Sequence, residues 1–96
     1  MMVRHEQFDP HAELYKVLGN AKRIAIIRLL QKGEMAVDDI AKNSGISKSN
    51  VSQHLMHLRY ARVVKTRKEG TSVYYRIANE DIHKLCGVID KMVSSQ

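Results

Sequence analysis

The feature that most constrains this chain is a glycine set between two helical stripes of unequal length. The segment AVDDIAKNS presents Val37, Ile40 and Ala41 as a small apolar face and is broken by Gly45. Ile46 follows, then Ser47 as a cap, then KSNVSQHLMHLRYA, where Val51, Leu55 and Leu58 recur at i, i+4 and i+7. A short helix, a tight turn and a longer helix in that order predict a helix-turn-helix.

The flanking segments complete a fold around it. Asp9 can cap a first helix with Pro10 at its first position, and HAELYKVL then places Leu14, Val17 and Leu18 on one face before Gly19. Asn20 can cap a second helix in which Ile24, Ile27 and Leu30 recur, Ile26 and Leu29 widen the stripe, and Gly33 ends it. So broad a stripe reads as a central core helix.

After Ala61 the period changes. RVVKTRKEGTSVYYRIA is rich in Val, Thr and Tyr, and Lys68-Glu69-Gly70-Thr71 reads as a turn between two extended runs, with Val64 and Val73 facing inward. Asn79 can cap a last helix whose apolar stripe is Ile82, Leu85, Cys86, Ile89, Met92 and Val93. The predicted fold is mainly α with a small β-hairpin, a homodimeric winged helix-turn-helix of order α-α-α-α-β-β-α. Residues 1–8 are expected to be a flexible N-terminal segment and residues 9–96 one DNA-binding and dimerisation domain.

Composition narrows the partner. With 96 residues the chain has room for one compact domain. Its 16 Lys and Arg against 10 Asp and Glu leave a formal charge of +6, which favours a polyanion, either nucleic acid or an anionic membrane surface. No apolar run reaches the length of about 18 residues that spans a bilayer, and no signal-peptide core follows Met1, so the expectation is a cytoplasmic protein without a membrane partner. The single cysteine, Cys86, excludes an intrachain disulfide and a zinc site built from several cysteines.

On the longer helix of the pair, the side opposite Val51, Leu55 and Leu58 carries Ser49, Gln53, His57 and Tyr60, with Lys48, Asn50 and Ser52 near its start. The second helix of such a pair lies in the major groove. Polar side chains there can reach base edges and phosphates, and Gln53 can pair bidentately with adenine. The hairpin adds Lys65, Arg67, Lys68 and Arg76 around its glycine turn. A basic ribbon beside a groove helix contacts flanking phosphates or the minor groove. A solvated helix face and a solvated charge run are the plain alternatives to each feature taken singly.

The stretch GISKSNVSQHLMHLRYARVVKTRKEGTSVYYRI resembles the ArsR/SmtB family of winged-helix repressors. The family's recognition-helix form S-x-S-x-V-S-x-H-L-x-x-L is matched from Ser47 to Leu58, and its wing form G-x-x-V-Y-Y-x-L from Gly70 to Ile77. Leu18 to Arg23 and the Leu29-Leu30 pair also fit, so the likeness runs from about Leu14 to Val93. It implies a homodimer built on the first and last helices (Leu14, Val17, Leu18, Ile82, Leu85, Cys86, Ile89, Met92 and Val93). It implies binding of double-stranded DNA at an inverted repeat and release when a ligand or oxidant binds.

What the signal would be stays open. The positions matching the family's Cys-x-Cys metal site hold Ala36 and Asp38, and those matching its last-helix site hold Asn79, Asp81, Met92 and Ser95. Only Asp81 of these last four readily ligates a hard ion. The region that carries a sensing cysteine in other members holds Arg28. His54 and His57 have chelating spacing, but within the recognition helix. His5 and His11, with His83 or Asp90 of a partner chain, are the remaining metal candidates, against a reading as surface histidines. Cys86 on its apolar stripe reads as a small core hydrophobe or as a redox thiol.

No phosphate loop, nucleophile motif or carboxylate pair marks a catalytic set, so neither an enzyme nor a cofactor is expected. The reading is a sequence-specific transcriptional regulator, a repressor. Its rivals are a winged-helix protein-interaction module and a non-specific DNA binder.

Overall fold

The computed structural model describes residues 9–95, which fold as five helices and a three-stranded antiparallel sheet. In chain order these are α1 (Pro10–Leu18), α2 (Ala21–Gln31), β1 (Met35–Ala36), α3 (Val37–Ser44), α4 (Lys48–Tyr60), β2 (Val64–Glu69), β3 (Ser72–Ile77) and α5 (Glu80–Ser94). The expected flexible segment 1–8 lies outside the described residues, as does Gln96.

Local chemistry sets the helix ends. Asp9 accepts the His11 amide at 2.9 Å, and Asn20 accepts the amides of Lys22 and Arg23. Ser47 accepts that of Asn50, and Asn79 that of Ile82. Each supplies an acceptor to an amide that has no partner inside its helix. Gly45 ends α3 with φ 75, its N–H donating to the Ala41 carbonyl at 3.0 Å. A side chain at that φ would strain the turn, so the glycine lets α4 leave at once in a new direction.

α4 stops differently. Arg62 takes φ 63 without being glycine, and the Val63 N–H closes back on the Leu58 carbonyl at 2.9 Å. This left-handed closure is usually a glycine's work.

The core gathers Ile26, Ile27 and Leu30 of α2, Ile40 of α3 and Val51, Leu55 and Leu58 of α4. Val63, Val64 and Ile77 close it from the sheet side, with Val17 and Ile82 from the outer helices. Ile24 and Leu29 are half-buried at its edge. The second helix is thus the central one, as its stripe predicts.

The sheet departs from expectation. A two-stranded hairpin was expected, but β1 adds a third strand in the order β1-β3-β2, with Met35 opposite Tyr75 and Ala36 opposite Tyr74. Two residues carry no alternation that could announce a strand. β1 forms because β3 offers an open edge where the chain passes from α2 to α3. The turn is also tighter than the four residues expected. β2 runs to Glu69 and β3 starts at Ser72, so Gly70 and Thr71 alone form the loop, with Gly70 at φ 63. Val64 is buried as expected, and Val73 is half-buried.

The burial contrast along α4 makes a test. Leu55 is 0% exposed and its neighbour Met56 60%. Leu55→Ala should lower the unfolding free energy by roughly 2–5 kcal/mol, and Met56→Ala should change it by no more than about 0.5 kcal/mol. Urea titration of both variants measures the difference.

Candidate nucleic-acid interface

Burial of Val51, Leu55 and Leu58 fixes the rotation of α4 about its axis. Lys48, Ser49, Asn50, Ser52, Gln53, His57 and Tyr60 are all exposed, so every candidate on this helix reaches solvent. Met56 joins this outward face, at i+3 from Gln53 and i−4 from Tyr60. Its apolar side chain carries no polar signal of a DNA contact, although its spacing from Gln53 and Tyr60 is legible in the sequence. Lys48 is paired with Asp38 of α3 at 2.8 Å, a contact that links the two helices of the motif.

His54 departs from the exposed set. It is half-buried, and its Nδ1 accepts from Arg23 Nε of α2 at 3.2 Å. Accepting there leaves the ring neutral with its proton on Nε2. Burial, then the charges of Arg23, Lys22 and His57, hold its pKa below the ordinary histidine value of 6.5. The H-x-x-H spacing therefore splits into one histidine facing α2 and one facing outward.

Lys65, Arg67, Lys68 and Arg76 are exposed on the hairpin. Among the described residues Lys65, Lys68 and Arg76 have no carboxylate partner, whereas Arg67 is held by Glu34 and Glu69. Sequence reading missed Glu34, since its neighbour across the sheet is distant in the chain and depends on β1.

Among the described residues the metal candidates are not assembled within one protomer. Among the described residues no three His, Cys, Asp or Glu side chains converge. His11 sits 3.3 Å from Asp9, Asp90 is bonded by Arg28, and His83 is half-buried. His5 lies outside the described residues. Cys86 is half-buried; burial pushes its thiol pKa up, Arg28 pulls it down and Asp90 adds to the rise.

The candidate dimer residues divide. Val17 and Ile82, expected in the interface, are 3% and 9% exposed within the single chain, so they belong to its own core. Leu14, Leu18, Leu85 and Cys86 are half-buried, and Ile89, Met92 and Val93 are exposed. Val88, at 55% exposed, extends the same face and was not anticipated.

A polar recognition helix held by the core beside a basic three-stranded sheet defines a winged helix-turn-helix domain. The profile of the family described as "Bacterial regulatory protein, arsR family" matches residues 20–66. The HTH-type transcriptional regulator KmtR of Mycobacterium tuberculosis is 38% identical over 84 residues, 88% of this chain and 63% of KmtR's own length. The nodulation protein NolR of Rhizobium meliloti is 35% identical over 86 residues, 90% of this chain and 70% of NolR. Among solved structures, the homodimeric winged helix-turn-helix DNA-binding domain (fragment 1–100) of Mb0332 from Mycobacterium bovis superposes with a TM-score of 0.85. It is 35% identical, over 95% of this chain and 84% of that one. The chain belongs to the ArsR family of bacterial regulatory proteins, and it spans less than two thirds of the length of the first relatives it matches, which are HTH-type transcriptional regulators.

The His54 environment has a pH consequence. Its folded pKa lies below 6.5. Between the folded and unfolded values the unfolded chain binds the extra proton, so stability rises with pH there. This contribution is complete above about 6.5 and is lost as pH falls toward the folded value. In thermal melts between pH 7 and 5, His54→Gln should show a flatter decline than the unaltered chain.

Proposed function

We propose that the chain acts as a homodimer that reads an inverted-repeat operator in double-stranded DNA and represses transcription by occupying it. The observation that carries the reading is the outward face of α4. Ser49 and Gln53 stand exposed in its first turns while its opposite face is fully buried, which is the presentation a major-groove helix needs. Lys48, Asn50, Ser52, His57 and Tyr60 flank them, and Lys65, Lys68 and Arg76 supply cations for phosphate or the minor groove. A protein with this task works in the cytoplasm, where a bacterium keeps its DNA.

Dimerisation follows from α5. Beyond Cys86 its apolar residues Val88, Ile89, Met92 and Val93 are between 40% and 67% exposed within one chain. A continuous apolar face of this kind marks an association surface. In a two-fold pairing it meets its own copy, with Leu14, Leu18, Leu85 and Cys86 alongside. The homodimeric state of the Mb0332 domain supports the same assignment. No helix among the described residues is long and apolar enough to cross a membrane.

Selection from random duplex DNA should enrich an inverted repeat with half-sites about one helical turn apart. On the enriched site Gln53→Ala should weaken binding by roughly 1–3 kcal/mol while leaving binding to unrelated DNA unchanged. Equal losses on both would favour non-specific binding, and no retention of DNA would favour an interaction module.

Ile89→Asp tests the dimer. A carboxylate at a two-fold apolar contact meets its own like charge and has no counter-ion. The variant should sediment as a monomer and lose the enriched site. A DNA-binding Ile89→Asp dimer would place the interface elsewhere.

A further inference from the structure

The exposed face of the sheet holds a side-chain bridge across all three strands. Across β2 and β3, Lys65 stands opposite Arg76 and Arg67 opposite Tyr74, while Ala36 of β1 stands opposite Tyr74 on its other side. Residues opposite one another on paired strands share a face. Arg67 lays its guanidinium over the Tyr74 ring, 4.8 Å from the ring centroid. Beyond the ring it meets Glu34, the residue just before β1. Nε donates to both carboxylate oxygens at 3.2 and 3.1 Å, and Nη2 donates to Oε1 at 2.8 Å. Nη1 turns back to Glu69 Oε1 at 2.8 Å.

All three guanidinium nitrogens are thus committed to carboxylates. One cation faces two anions, so the trio presents net negative charge to an approaching phosphate. Moving Arg67 onto DNA would break these bonds, lift it from the ring and leave both carboxylates unpaired beside the phosphate backbone. Lys68, next in sequence, has no carboxylate partner among the described residues.

Glu34 is followed by only β1 before α3, the first helix of the helix-turn-helix, begins at Val37. Arg67 lies near the tip of the hairpin. Backbone pairing ties β1 to β3 at two residues only. A two-stranded ribbon has little stiffness alone, so a side-chain bond from its outer half to the root of α3 governs how it stands. The guanidinium also holds the Glu34 carboxyl below the ordinary glutamate range, so the pair is fully charged at neutral pH.

We propose that Glu34 is a positioning residue for DNA binding: by gripping Arg67 across Tyr74 it sets the angle of the wing to the helix-turn-helix, and Arg67 serves this grip instead of contacting phosphate. The inference rests on the DNA-binding reading above and adds to it which wing cation reads phosphate and which does not.

The test uses the full chain and a duplex carrying the enriched site, with affinity measured across a potassium chloride series. Glu34→Gln and Arg67→Ala should each weaken binding about threefold to tenfold, the scale of one loosened element that must be ordered on binding. Neither should alter the slope of log K against log salt, and the double variant should be no weaker than either single one. Lys68→Ala should flatten that slope by about 0.9, the release of one phosphate's counterion. Melting temperatures of the two grip variants should stay close to that of the unaltered chain, because an exposed ion pair contributes little to stability.

A flattened slope in Arg67→Ala, or tighter binding in Glu34→Gln, would overturn the proposal by showing Arg67 on phosphate. A large fall in melting temperature in both variants would overturn it in favour of a general structural role. NMR judges the grip without DNA. The Arg67 Nε–H resonance should shift and lose exchange protection in Glu34→Gln, and an unmoved resonance would show that the grip does not form. If no variant and no unaltered protein retains DNA, the functional reading fails, while the NMR result still decides the grip.

Discussion

Val51, Leu55 and Leu58 lock α4 against α2 and α3, and the orientation of the outward residues on α4 depends on that contact. All three are 0% exposed. Burying each contributes about 2 kcal/mol. Turning the helix by one residue would rotate it through about 100° and bring polar side chains such as Ser52 toward the core. The outward set of Ser49, Gln53, Met56 and Tyr60 is therefore the complement of the buried set, held by apolar packing and not by contacts of its own. The Gly45 turn and the Ser47 cap place the start of that helix, and the core sets its rotation.

The polar bonds that reach between elements act on this frame. Lys48 to Asp38 joins the two helices of the motif, His54 to Arg23 joins α4 to α2, Arg28 to Asp90 joins α2 to α5, and Arg67 to Glu34 joins the wing to the root of α3. Each involves groups exposed or only partly buried, where water competes well for both partners. Their value lies in direction, since they fix angles that a smooth apolar contact leaves loose. The wing has most need of this, because its outer half stands beyond the core.

α5 shows a different balance. Its first turns anchor through Ile82 at 9% exposure, but from Val88 onward its apolar side chains are left 40% to 67% exposed by the same chain. A domain of this size has too little interior for every stripe. The remaining face is the part of the fold that a second copy would complete.

Local pattern made much of this legible. The periodicity of Val51, Leu55 and Leu58, the caps at Asp9, Asn20, Ser47 and Asn79, and the glycines at 45 and 70 are short-range features, and they determined the helix order, the turn and the hairpin. Four features depended on tertiary structure. β1 exists only because β3 has an open edge. Val17 and Ile82 turn inward because the core reaches them before any partner does. His54 meets Arg23 across 31 residues of chain, and Arg67 meets Glu34 across 33. Periodicity states which face of one element is apolar, but it carries no information about what a distant element brings to the opposite face. The sequence determined the helix that presents polar groups outward; packing decided that Arg67, a phosphate-ligand candidate by its charge, is taken up by two carboxylates.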